Sequence, residues 1–455
     1  MKDTIFRAYD IRGIYPAELD EPAAYLVGRA YGSILPGSRI AVGHDGRRNS
    51  QALQPRLLAG LLESGKQVAD IGLVPTPLLY FAIAHYRLDG GIQVTGSHNP
   101  KQYSGFKLQK ENAFPITWET GIQKMLELAR SRQFAPASNG GMLAMPGNAR
   151  VLTDYLELVA SKASLERKLK LVLDVGNGAC GRIPELLFRR LGCEALTIYA
   201  ELDPDYPNHL PDPHDPANMQ GLQQAVVEEQ ADIGLAFDGD GDRIGMVDAK
   251  GGIVPADSLL MLLARHCLQQ RKGNVVVEVR ASTALLDDIR NFGGNPVMAR
   301  AGHAYVLEEV VRHDAVFGGE ITGHMYFPLE YYPYDDGLFI GVKLAEIAAR
   351  HDLAEYVSSL PKACTSPEIA LDCPDERKFA KVKLLADFLA KGGYDFLGID
   401  GARISFPNGW ALVRASNTTP HIKCRFEGKT EKDLKAVMAK SRSILQAAWN
   451  EKPGF

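Results

Sequence analysis

The sequence predicts an α/β protein built from three tandem copies of a related domain, each with a mostly parallel mixed sheet, followed by a C-terminal α+β domain, all around a central cleft. Three observations predict this class. One unit of strand, helix, strand, helix, strand and polar loop occurs three times. Linkers rich in proline, glycine and small polar residues separate the units, and hairpin signals replace the alternation near the C-terminus.

The repeated unit has the same five segments in each copy. In the first copy the segments are 39–47, 52–65, 67–73, 78–86 and 91–100. In the second copy they are 169–178, 184–192, 194–200, 219–230 and 232–243. In the third copy they are 274–283, 284–293, 295–302, 304–313 and 315–324. Short apolar strands alternating with helices indicate right-handed βαβ units, whose ligands gather at the carboxyl ends of the strands. The terminal loops TGSHNP, DGDGDR and GEITGH are therefore expected to face one cleft.

The part after the third copy has a different pattern. Helices are predicted at 379–393 and 431–449, and the dipeptides Asp400–Gly401 and Asn408–Gly409 between them favour hairpins. The segments 135–148 and 360–376 have the composition of linkers between domains. We predict domains at 1–145, 146–250, 251–362 and 363–455.

Charge and composition exclude several classes of partner. The 455 residues carry 51 basic and 55 acidic side chains, a net charge of −4, so no broad basic surface for nucleic acid or a membrane is expected. The six cysteines form no C-x-x-C pair, which argues against zinc and disulfides and fits a reducing cytoplasm. We expect a cytoplasmic protein, since the N-terminus has no apolar signal segment and no apolar run reaches the roughly 18 residues of a membrane span.

The stretch AFDGDGDRIGM (236–246) places Asp238, Asp240 and Asp242 directly after an apolar strand. Like charges this close need a counter-charge, and alternating aspartates on a glycine-rich chain suit a hard cation such as Mg²⁺ or Ca²⁺. An EF-hand is excluded because Arg243 and Ala249 occupy its glycine and glutamate positions. A solvated acidic turn is the alternative.

The loop TGSHNP places Ser97 beside His98 after a strand. A serine hydrolase is disfavoured because neighbouring side chains are expected to diverge and because the motif G-x-S-x-G is absent. Opposite a three-aspartate metal loop, Ser97 makes better sense as a phosphoryl carrier, whose phosphate would complete a Mg²⁺ shell.

Two further loops have competing interpretations. GNGACG (176–181) matches the dinucleotide motif G-x-G-x-x-G, but its helix is expected to begin too late, near Pro184, so a structural tight turn is preferred over an NAD site. RASNTTP (414–420) is rich in donors suited to phosphate, although a plain polar turn has the same composition.

Taken together and in this order, TGSHNP, DGDGDR, GEITGH and RASNTTP resemble the α-D-phosphohexomutases, most closely the bacterial phosphomannomutase/phosphoglucomutase group. The resemblance extends from FRAYDIRG (6–13) to the last domain. It implies four domains around a cleft, a phosphoserine, one Mg²⁺ per chain, and interconversion of hexose 1-phosphate and hexose 6-phosphate of mannose or glucose. A glucose or mannose 1,6-bisphosphate would be intermediate and activator, the partners would be small phosphosugars, and the protein would be a monomer or weak homodimer.

The resemblance also implies roles for individual residues. The phosphoserine would be Ser97, the metal ligands would be Ser97, Asp238, Asp240 and Asp242, and Arg243 would steady the phosphoserine. Phosphate contact or proton transfer would fall to Lys107, His303 and His324. The residues implied in substrate binding are Tyr9, Arg12, Arg280, Glu320, Thr322, Arg414, Ser416, Asn417 and Thr418. A hydrogen-bonded loop histidine is the alternative for His303 and His324.

This chain departs from the family pattern at two positions, Thr322 where serine is usual and Arg280 where lysine is expected. Both changes keep polarity or charge, but an added methyl group or a planar guanidinium can shift sugar preference. Two alternatives to the expected function stay open. A phosphoglucosamine mutase is disfavoured because its phosphate loop is of the R-P-S-G-T-E type, and a non-catalytic sugar-phosphate-binding protein is disfavoured because every catalytic loop is chemically intact.

Overall fold

The repeated strands and helices are present in the computed structural model, which describes residues 2–137, 139–144, 147–417 and 419–455. The chain divides into two units. One unit comprises Met1–Leu259 and Thr322–Ser358, and the other comprises Leu260–Ile321 and Ser359–Phe455. The division therefore falls inside the predicted loop GEITGH, after Ile321.

The first repeat forms a six-stranded sheet with helices packed on it. Its strands are β1 Ile11–Ile14, β2 Arg39–His44, β3 Gln67–Leu73, β4 Gly90–Val94, β5 Tyr103–Lys110 and β6 Gly141–Met142, in the order β1-β5-β4-β2-β3-β6. Its helices are α1 Glu21–Ile34, α2 Arg48–Glu63, α3 Thr76–His85 and α4 Gln123–Ser131. Strand β2 is parallel to β3 and β4, whereas β5 returns antiparallel beside β4. Helix α1 begins directly after Asp20, whose side chain caps it by accepting from Ala23 N at 2.9 Å.

The second repeat has a smaller sheet of the same kind. Its elements are α5 Asn148–Ser161, β7 Lys170–Asp174, α6 Ile183–Arg190, β8 Glu194–Ile198, α7 Gln220–Glu228, β9 Ile233–Phe237 and β10 Ile244–Asp248. Strand β7 lies parallel to both β8 and β9, and the sheet order is β10-β9-β7-β8. Strand β10 pairs antiparallel with β9, so Phe237 lies opposite Ile244 and residues 238–243 form the connecting loop.

The third repeat follows with the same alternation. Its elements are α8 Ala256–Gln270, β11 Asn274–Glu278, α9 Thr283–Asn291, β12 Asn295–Ala299, α10 His303–Arg312, β13 Phe317–Gly319, β14 Met325–Tyr326, α11 Gly337–Arg350 and α12 Leu353–Ser359. Strand β11 is parallel to β12 and to β13, as βαβ connections require.

The C-terminal part is an antiparallel sheet with two helices, as predicted. Its elements are β15 Cys364–Thr365, β16 Ile369–Asp372, α13 Asp375–Lys391, β17 Phe396–Leu397, β18 Ala402–Phe406, β19 Gly409–Ala415, β20 His421–Gly428 and α14 Glu431–Trp449. Both hairpins occur, since β18 pairs antiparallel with β17 and with β19. Gly401 is required at its turn because its φ is +78° and a Cβ there would lie 2.3 Å from Val413 O.

Every helix and strand of the three predicted repeats is present, with ends that differ from the predictions by a few residues. The sequence reasoning missed β5 and β10, which follow the polar loops and make both sheets mixed rather than wholly parallel. Within the described ranges, the structure contains no helix with the length and apolarity to cross a membrane.

Candidate active site

Two of the predicted loops meet in the first unit. The Ser97 loop follows β4 and the aspartate loop follows β9, and each of these strands lies between one parallel and one antiparallel neighbour. Their carboxyl ends carry the loops, as expected for ligand sites in α/β sheets. A Cβ at Gly239 would lie 2.5 Å from Ser97 O, so only glycine allows the two loops to approach this closely.

The three aspartates form a buried cluster. Asp238, Asp240 and Asp242 are each 0% exposed, and one carboxylate oxygen of each lies within 4.8 Å of the others. Asp240 Oδ1 and Asp242 Oδ1 are buried and accept no hydrogen bond from any described residue. Hard oxygen atoms that are buried together without donors fit a divalent cation better than they fit a solvated acidic turn.

Lys107 of β5 supplies the positive charge that the cluster requires. Its ammonium group contacts Asp242 and lies 2.7 Å from Asp240 Oδ2. Burial alone would lower the pKa of Lys107, but the neighbouring carboxylates outweigh it and raise that pKa. Burial and the charges of Asp240 and Asp242 raise the pKa of Asp238, whereas Lys107 outweighs burial at Asp240 and lowers its pKa.

Ser97 lies directly on this cluster. Its Oγ donates to Asp238 Oδ2 at 2.8 Å, and the residue is 2% exposed. The backbone of Ser97 has φ +49°, in the left-handed region that a serine rarely adopts. Such a conformation costs about 1–3 kcal/mol and persists only where the surroundings impose it.

The expectation that Ser97 and His98 diverge is wrong. Ser97 Oγ lies 3.2 Å from His98 Nδ1, because the left-handed turn at Ser97 brings the two side chains to the same side. Burial, together with the nearby Arg243 and Arg12 charges, lowers the pKa of His98. The nearest oxygen partner of Ser97 Oγ is still a carboxylate of the metal cluster, which favours a phosphoryl carrier over a hydrolase nucleophile.

Arg243 and His324 lie together beside the aspartates. Arg243 Nε donates to His324 Nε2 at 2.8 Å, and Arg243 N donates to Asp238 Oδ1 at 3.1 Å. His324 Nδ1 lies 2.5 Å from Asp335 Oδ2. Burial and the charge of Arg243 lower the pKa of His324. An imidazole that accepts from an arginine at one nitrogen is held neutral and in a fixed orientation.

One of the two predicted residues of the N-terminal segment, Arg12, lies close to the serine loop. Arg12 donates to Gly96 O at 2.6 Å and forms a 2.8 Å ion pair with Asp10. Tyr9 is half-buried in the loop before β1. The structure therefore brings Arg12 to the main chain that precedes Ser97.

The motif GNGACG forms part of the support of the metal loop. Helix α6 begins at Ile183, beyond the third glycine, as the sequence reasoning expected. Ala179 N donates to Gly239 O at 2.9 Å, and a Cβ at Gly178 would lie 2.8 Å from the same oxygen. The glycines thus allow close packing of two loops.

In the second unit, Arg280 lies among three carboxylates. Its guanidinium is 2.8 Å from Glu278, 3.4 Å from Glu368 and 3.7 Å from Glu320. Burial would raise the pKa of Glu368, but Arg280 and Lys423 outweigh it and lower that pKa to about 2. The Glu320 carboxylate also accepts from Gly302 N at 2.6 Å, so its position is fixed from two sides.

The loop RASNTTP is tied to residue 301 of the same unit. Arg414 Nε donates to Asp400 Oδ2 at 2.7 Å, and that oxygen also accepts from Ala301 N at 3.0 Å. Asn417 Nδ2 donates to Ala301 O at 3.1 Å. Ser416 Oγ accepts from Thr419 N and Thr419 Oγ1 at 3.1 and 2.8 Å.

The remaining predicted site residues are His303, Thr322 and Thr418. His303 is buried at the start of α10 in the second unit, and Thr322 is half-buried in the first unit. Thr418 lies outside the described residues. The predicted roles of the substrate-binding residues stay predictions.

Sequence reasoning missed several residues that build this site. Thr76 Oγ1 donates to Asp240 Oδ2 at 2.5 Å, and Asp335 contacts His324. Arg47, in HDGR (44–47), donates to four carbonyl oxygens of the serine loop. Thr76 and Arg47 immediately follow strands at the loop-bearing edge, which is the signal that was available in the sequence.

Comparison with known proteins agrees with this geometry. The four phosphoglucomutase/phosphomannomutase domain models, alpha/beta/alpha domains I to III and the C-terminal domain, match residues 3–135, 153–251, 255–364 and 368–443. The chain is 37% identical over 446 residues to a phosphomannomutase/phosphoglucomutase of Pseudomonas syringae, covering 96% of this chain and 94% of that protein. It is 34% identical to a phosphoglucomutase of Neisseria gonorrhoeae, covering 97% of each.

A solved structure gives the same result. A phosphoglucomutase/phosphomannomutase family protein from Burkholderia thailandensis superposes with a TM-score of 0.92, at 35% identity and over 100% of both chains. The fold and the paired serine and aspartate loops define an enzyme of the phosphohexomutase class. The chain belongs to the phosphoglucomutase/phosphomannomutase family, and the predicted family, fold class and mutase activity on hexose phosphates are confirmed.

Proposed function

We propose that this enzyme interconverts hexose 1-phosphate and hexose 6-phosphate of mannose and glucose, with Ser97 as the residue that carries the phosphoryl group. One observation carries the proposal. Ser97 Oγ lies 2.8 Å from a carboxylate of the buried aspartate cluster, in a loop whose backbone is held in a strained turn. A hydroxyl group fixed beside a cation site is suited to hold and release a phosphoryl group.

The proposed reaction has two transfers that balance. In the first, the bond between phosphorus and Ser97 Oγ breaks, a bond forms from phosphorus to a sugar hydroxyl oxygen, and the hydroxyl proton goes to a neighbouring base. The resulting hexose 1,6-bisphosphate turns over. In the second transfer the bond between its other phosphorus and the sugar oxygen breaks, a bond from that phosphorus to Ser97 Oγ forms, and the sugar oxygen takes the proton back from the base. The groups proposed for phosphate contact and proton transfer are Lys107, Arg243, His303 and His324.

We propose that Asp238, Asp240, Asp242 and an oxygen of the phosphorylated Ser97 hold one Mg²⁺. The buried oxygens Asp240 Oδ1 and Asp242 Oδ1, which accept no hydrogen bond from the described residues, support this ligand set. When bound, Mg²⁺ would neutralise charge on the transferring phosphoryl group. The ammonium group of Lys107 lies beside Asp240 and Asp242 and balances part of their charge.

The second unit is proposed to hold the sugar phosphate. Glu320 would accept hydrogen bonds from sugar hydroxyls, together with Thr322 of the first unit. The phosphate that is not transferred would be bound by Arg414, Ser416, Asn417 and Thr418. Arg280 would contact the substrate and influence sugar preference, and Tyr9 and Arg12 would line the first-domain side. The hydrogen bonds from Arg414 to Asp400 and from Gly302 N to Glu320 support fixed positions for the residues proposed to bind the non-transferred phosphate and the sugar hydroxyls.

We retain the division at 1–145, 146–250, 251–362 and 363–455 as the proposed domains, which carry the serine, metal, sugar and phosphate loops in that order. A monomer or weak homodimer in the cytoplasm is proposed with small phosphosugars as partners. The presence of all six cysteines as thiols rather than disulfides supports a reducing compartment.

Rates on three sugar phosphates test the proposal. Turnover of glucose, mannose and glucosamine 1-phosphates is measured with Mg²⁺ and the matching 1,6-bisphosphate as activator. We expect glucose and mannose to be used well. Strong preference for the glucosamine compound would identify a phosphoglucosamine mutase instead, and absence of turnover on all three would favour a non-catalytic sugar-phosphate-binding protein.

The role of Ser97 is tested on the protein itself. Intact-mass measurement and peptide mapping of the purified enzyme are expected to find phosphate on Ser97. Phosphate on Thr95 or Ser104 in its place would contradict the assignment, because Ser97 is the hydroxyl that donates to Asp238.

A further inference from the structure

Arg47 has the largest fully buried side chain of the described residues, and the proposed chemistry does not use it. Arg47 ends the segment HDGR (44–47) after β2 and is 1% exposed. Its nitrogens donate to four main-chain carbonyl oxygens, those of Ser97 at 2.6 Å, Asn99 at 2.6 Å, Pro100 at 2.9 Å and Tyr103 at 3.1 Å. One side chain thus fixes the main chain from the nucleophile to the start of the next strand.

Asp45 holds the same loop from the preceding side. Its Oδ2 accepts from Thr95 Oγ1 at 2.8 Å and from Gly96 N at 2.9 Å, and it lies 3.3 Å from Arg47 Nε. The carboxylate therefore balances the buried guanidinium charge while it fixes the two residues before Ser97. Thr95 Oγ1 in turn accepts from Ser97 N at 2.8 Å.

The guanidinium also explains the glycine at position 96. A Cβ at Gly96 would lie 2.4 Å from the guanidinium carbon of Arg47. The guanidinium could make room for a Cβ only by breaking several of its bonds to carbonyl oxygens. Close packing of Arg47 on Gly96 is thus coupled to the left-handed turn at Ser97, whose φ is +49°.

The ring of Tyr206 covers the other side of the group, with the guanidinium carbon 5.3 Å from the ring centre. Arg47 is enclosed by main-chain carbonyls, Asp45 and this ring, so its charge is satisfied within the protein. Its influence on Ser97 therefore acts through loop geometry.

We infer that Arg47 is a positioning residue for phosphoryl transfer, which sets the conformation of residues 97–103 and so aims Ser97 Oγ at the metal cluster. This inference rests on the proposed role of Ser97. Because Arg47 contacts the loop and not the proposed sugar-binding residues, its loss is expected to lower kcat and leave KM unchanged.

The conservative variant Arg47→Lys tests this inference, because lysine keeps the charge but cannot reach four carbonyl oxygens. Arg29→Lys is the matched control. Arg29 is 6% exposed, forms an ion pair with Glu63 and donates to Ala135 O at 2.9 Å, away from the serine loop. We expect kcat of Arg47→Lys to fall about 10²-fold with KM within about twofold, whereas Arg29→Lys keeps both values.

Gly96→Ala provides a second variant, in which residue 47 is still arginine. Its added methyl group is expected to displace the guanidinium and to give the same fall in kcat at unchanged KM. Wild-type kcat in both variants would overturn the inference, and so would a raised KM at unchanged kcat or an equal loss in Arg29→Lys. Absence of phosphate on Ser97 in the wild-type enzyme would refute the proposed role of Ser97 and this inference together, whereas phosphate on Ser97 with wild-type kcat in both variants refutes the inference alone.

Discussion

Replacement of Asp240 by asparagine separates the charge of the metal cluster from its shape. Asp240 is 0% exposed, lies 2.7 Å from Lys107 Nζ and accepts from Thr76 Oγ1 at 2.5 Å. Asparagine has nearly the same size and keeps an oxygen that can accept from the threonine. The substitution therefore removes one negative charge with little change in packing.

The effect on stability without a cation is predicted to be small because two charge terms oppose each other. The attraction to Lys107 at 2.7 Å is about 6 kcal/mol at an effective dielectric constant of 20. Repulsion from the other two aspartates, whose oxygens lie within 4.8 Å, is at least about 3.5 kcal/mol each, about 7 kcal/mol together. We expect the free energy of unfolding of Asp240→Asn in EDTA to stay within about 1–2 kcal/mol of the wild type, measured by urea unfolding.

The effect on turnover is predicted to be large. If the aspartates hold Mg²⁺, the variant loses one of three carboxylate ligands, and the two carboxylates that remain compete poorly with the hydration shell of the ion. We expect kcat to fall about 10²–10³-fold, the cost of about 2.7–4 kcal/mol of lost transition-state stabilisation, with only partial recovery at high Mg²⁺. Steady-state turnover measured across a range of Mg²⁺ concentrations checks this.

Asp288→Asn is the matched control for this experiment. Asp288 is a buried aspartate of the second unit, 2% exposed and paired with Arg265, away from the aspartate loop. Its loss is expected to lower stability and leave the Mg²⁺ dependence unchanged. A wild-type Mg²⁺ curve for Asp240→Asn would refute the metal site and favour a solvated acidic turn.

Three further predictions concern the serine, the sugar contact and pH. Ser97→Ala is expected to lose most activity while far-ultraviolet circular dichroism stays native, and retained turnover would exclude Ser97 as carrier. Arg280→Lys is expected to change the ratio of kcat/KM for mannose phosphate to kcat/KM for glucose phosphate by about threefold or more. The reason is that lysine lacks the planar guanidinium group that lies beside Glu320. The pKa of His209 is raised, because the hydrogen bond and ion pair with Asp174 outweigh the effect of burial, which alone would lower it. A raised folded-state pKa stabilises at low pH, and this contribution is lost as pH rises through that pKa, so His209→Gln should cost more unfolding free energy at pH 5.5 than at pH 8.

The fold and half of the site were predictable because the sequence carries local signals for both. Repeated apolar strands and helices have characteristic periods, and Asp-Gly and Asn-Gly dipeptides mark hairpins. The aspartate loop was predicted to hold a cation because its three charges lie within five residues, and the structure brings its carboxylates together in a buried cluster. Ser97 was predicted to lie opposite this loop because both follow equivalent strands of the repeat. In the structure Ser97 Oγ lies 2.8 Å from Asp238 Oδ2.

The missed residues act across long stretches of sequence. Thr76 lies 164 positions from its partner Asp240, and Arg47 lies 50 positions from Ser97. A threonine or an arginine carries no motif of its own, so its partner is known only when the sheet order is known. Strands β5 and β10 were missed for a related reason, since each follows a loop whose polar residues dominated the pattern. The prediction that the Ser97 and His98 side chains diverge was wrong, because no local sequence pattern predicts a left-handed backbone conformation at a serine.

The metal loop is held by its main chain as well as by Asp238, whose Oδ1 accepts from Gly241 N and Arg243 N. Three consecutive carbonyl oxygens of the loop accept from backbone N–H groups of three separate segments: Gly239 O from Ala179 at 2.9 Å, Asp240 O from Thr76 at 2.8 Å and Gly241 O from Gly337 at 3.1 Å. These bonds fix the main chain of the loop, while Asp240 Oδ1 and Asp242 Oδ1 accept no hydrogen bond from the described residues and stay available for a cation. Because the main chain is fixed before any ligand arrives, the carboxylates need little rearrangement to bind one. The same requirement explains the glycine at the start of α11, where a Cβ would lie 2.7 Å from Gly241 O and push the loop away from Ser97.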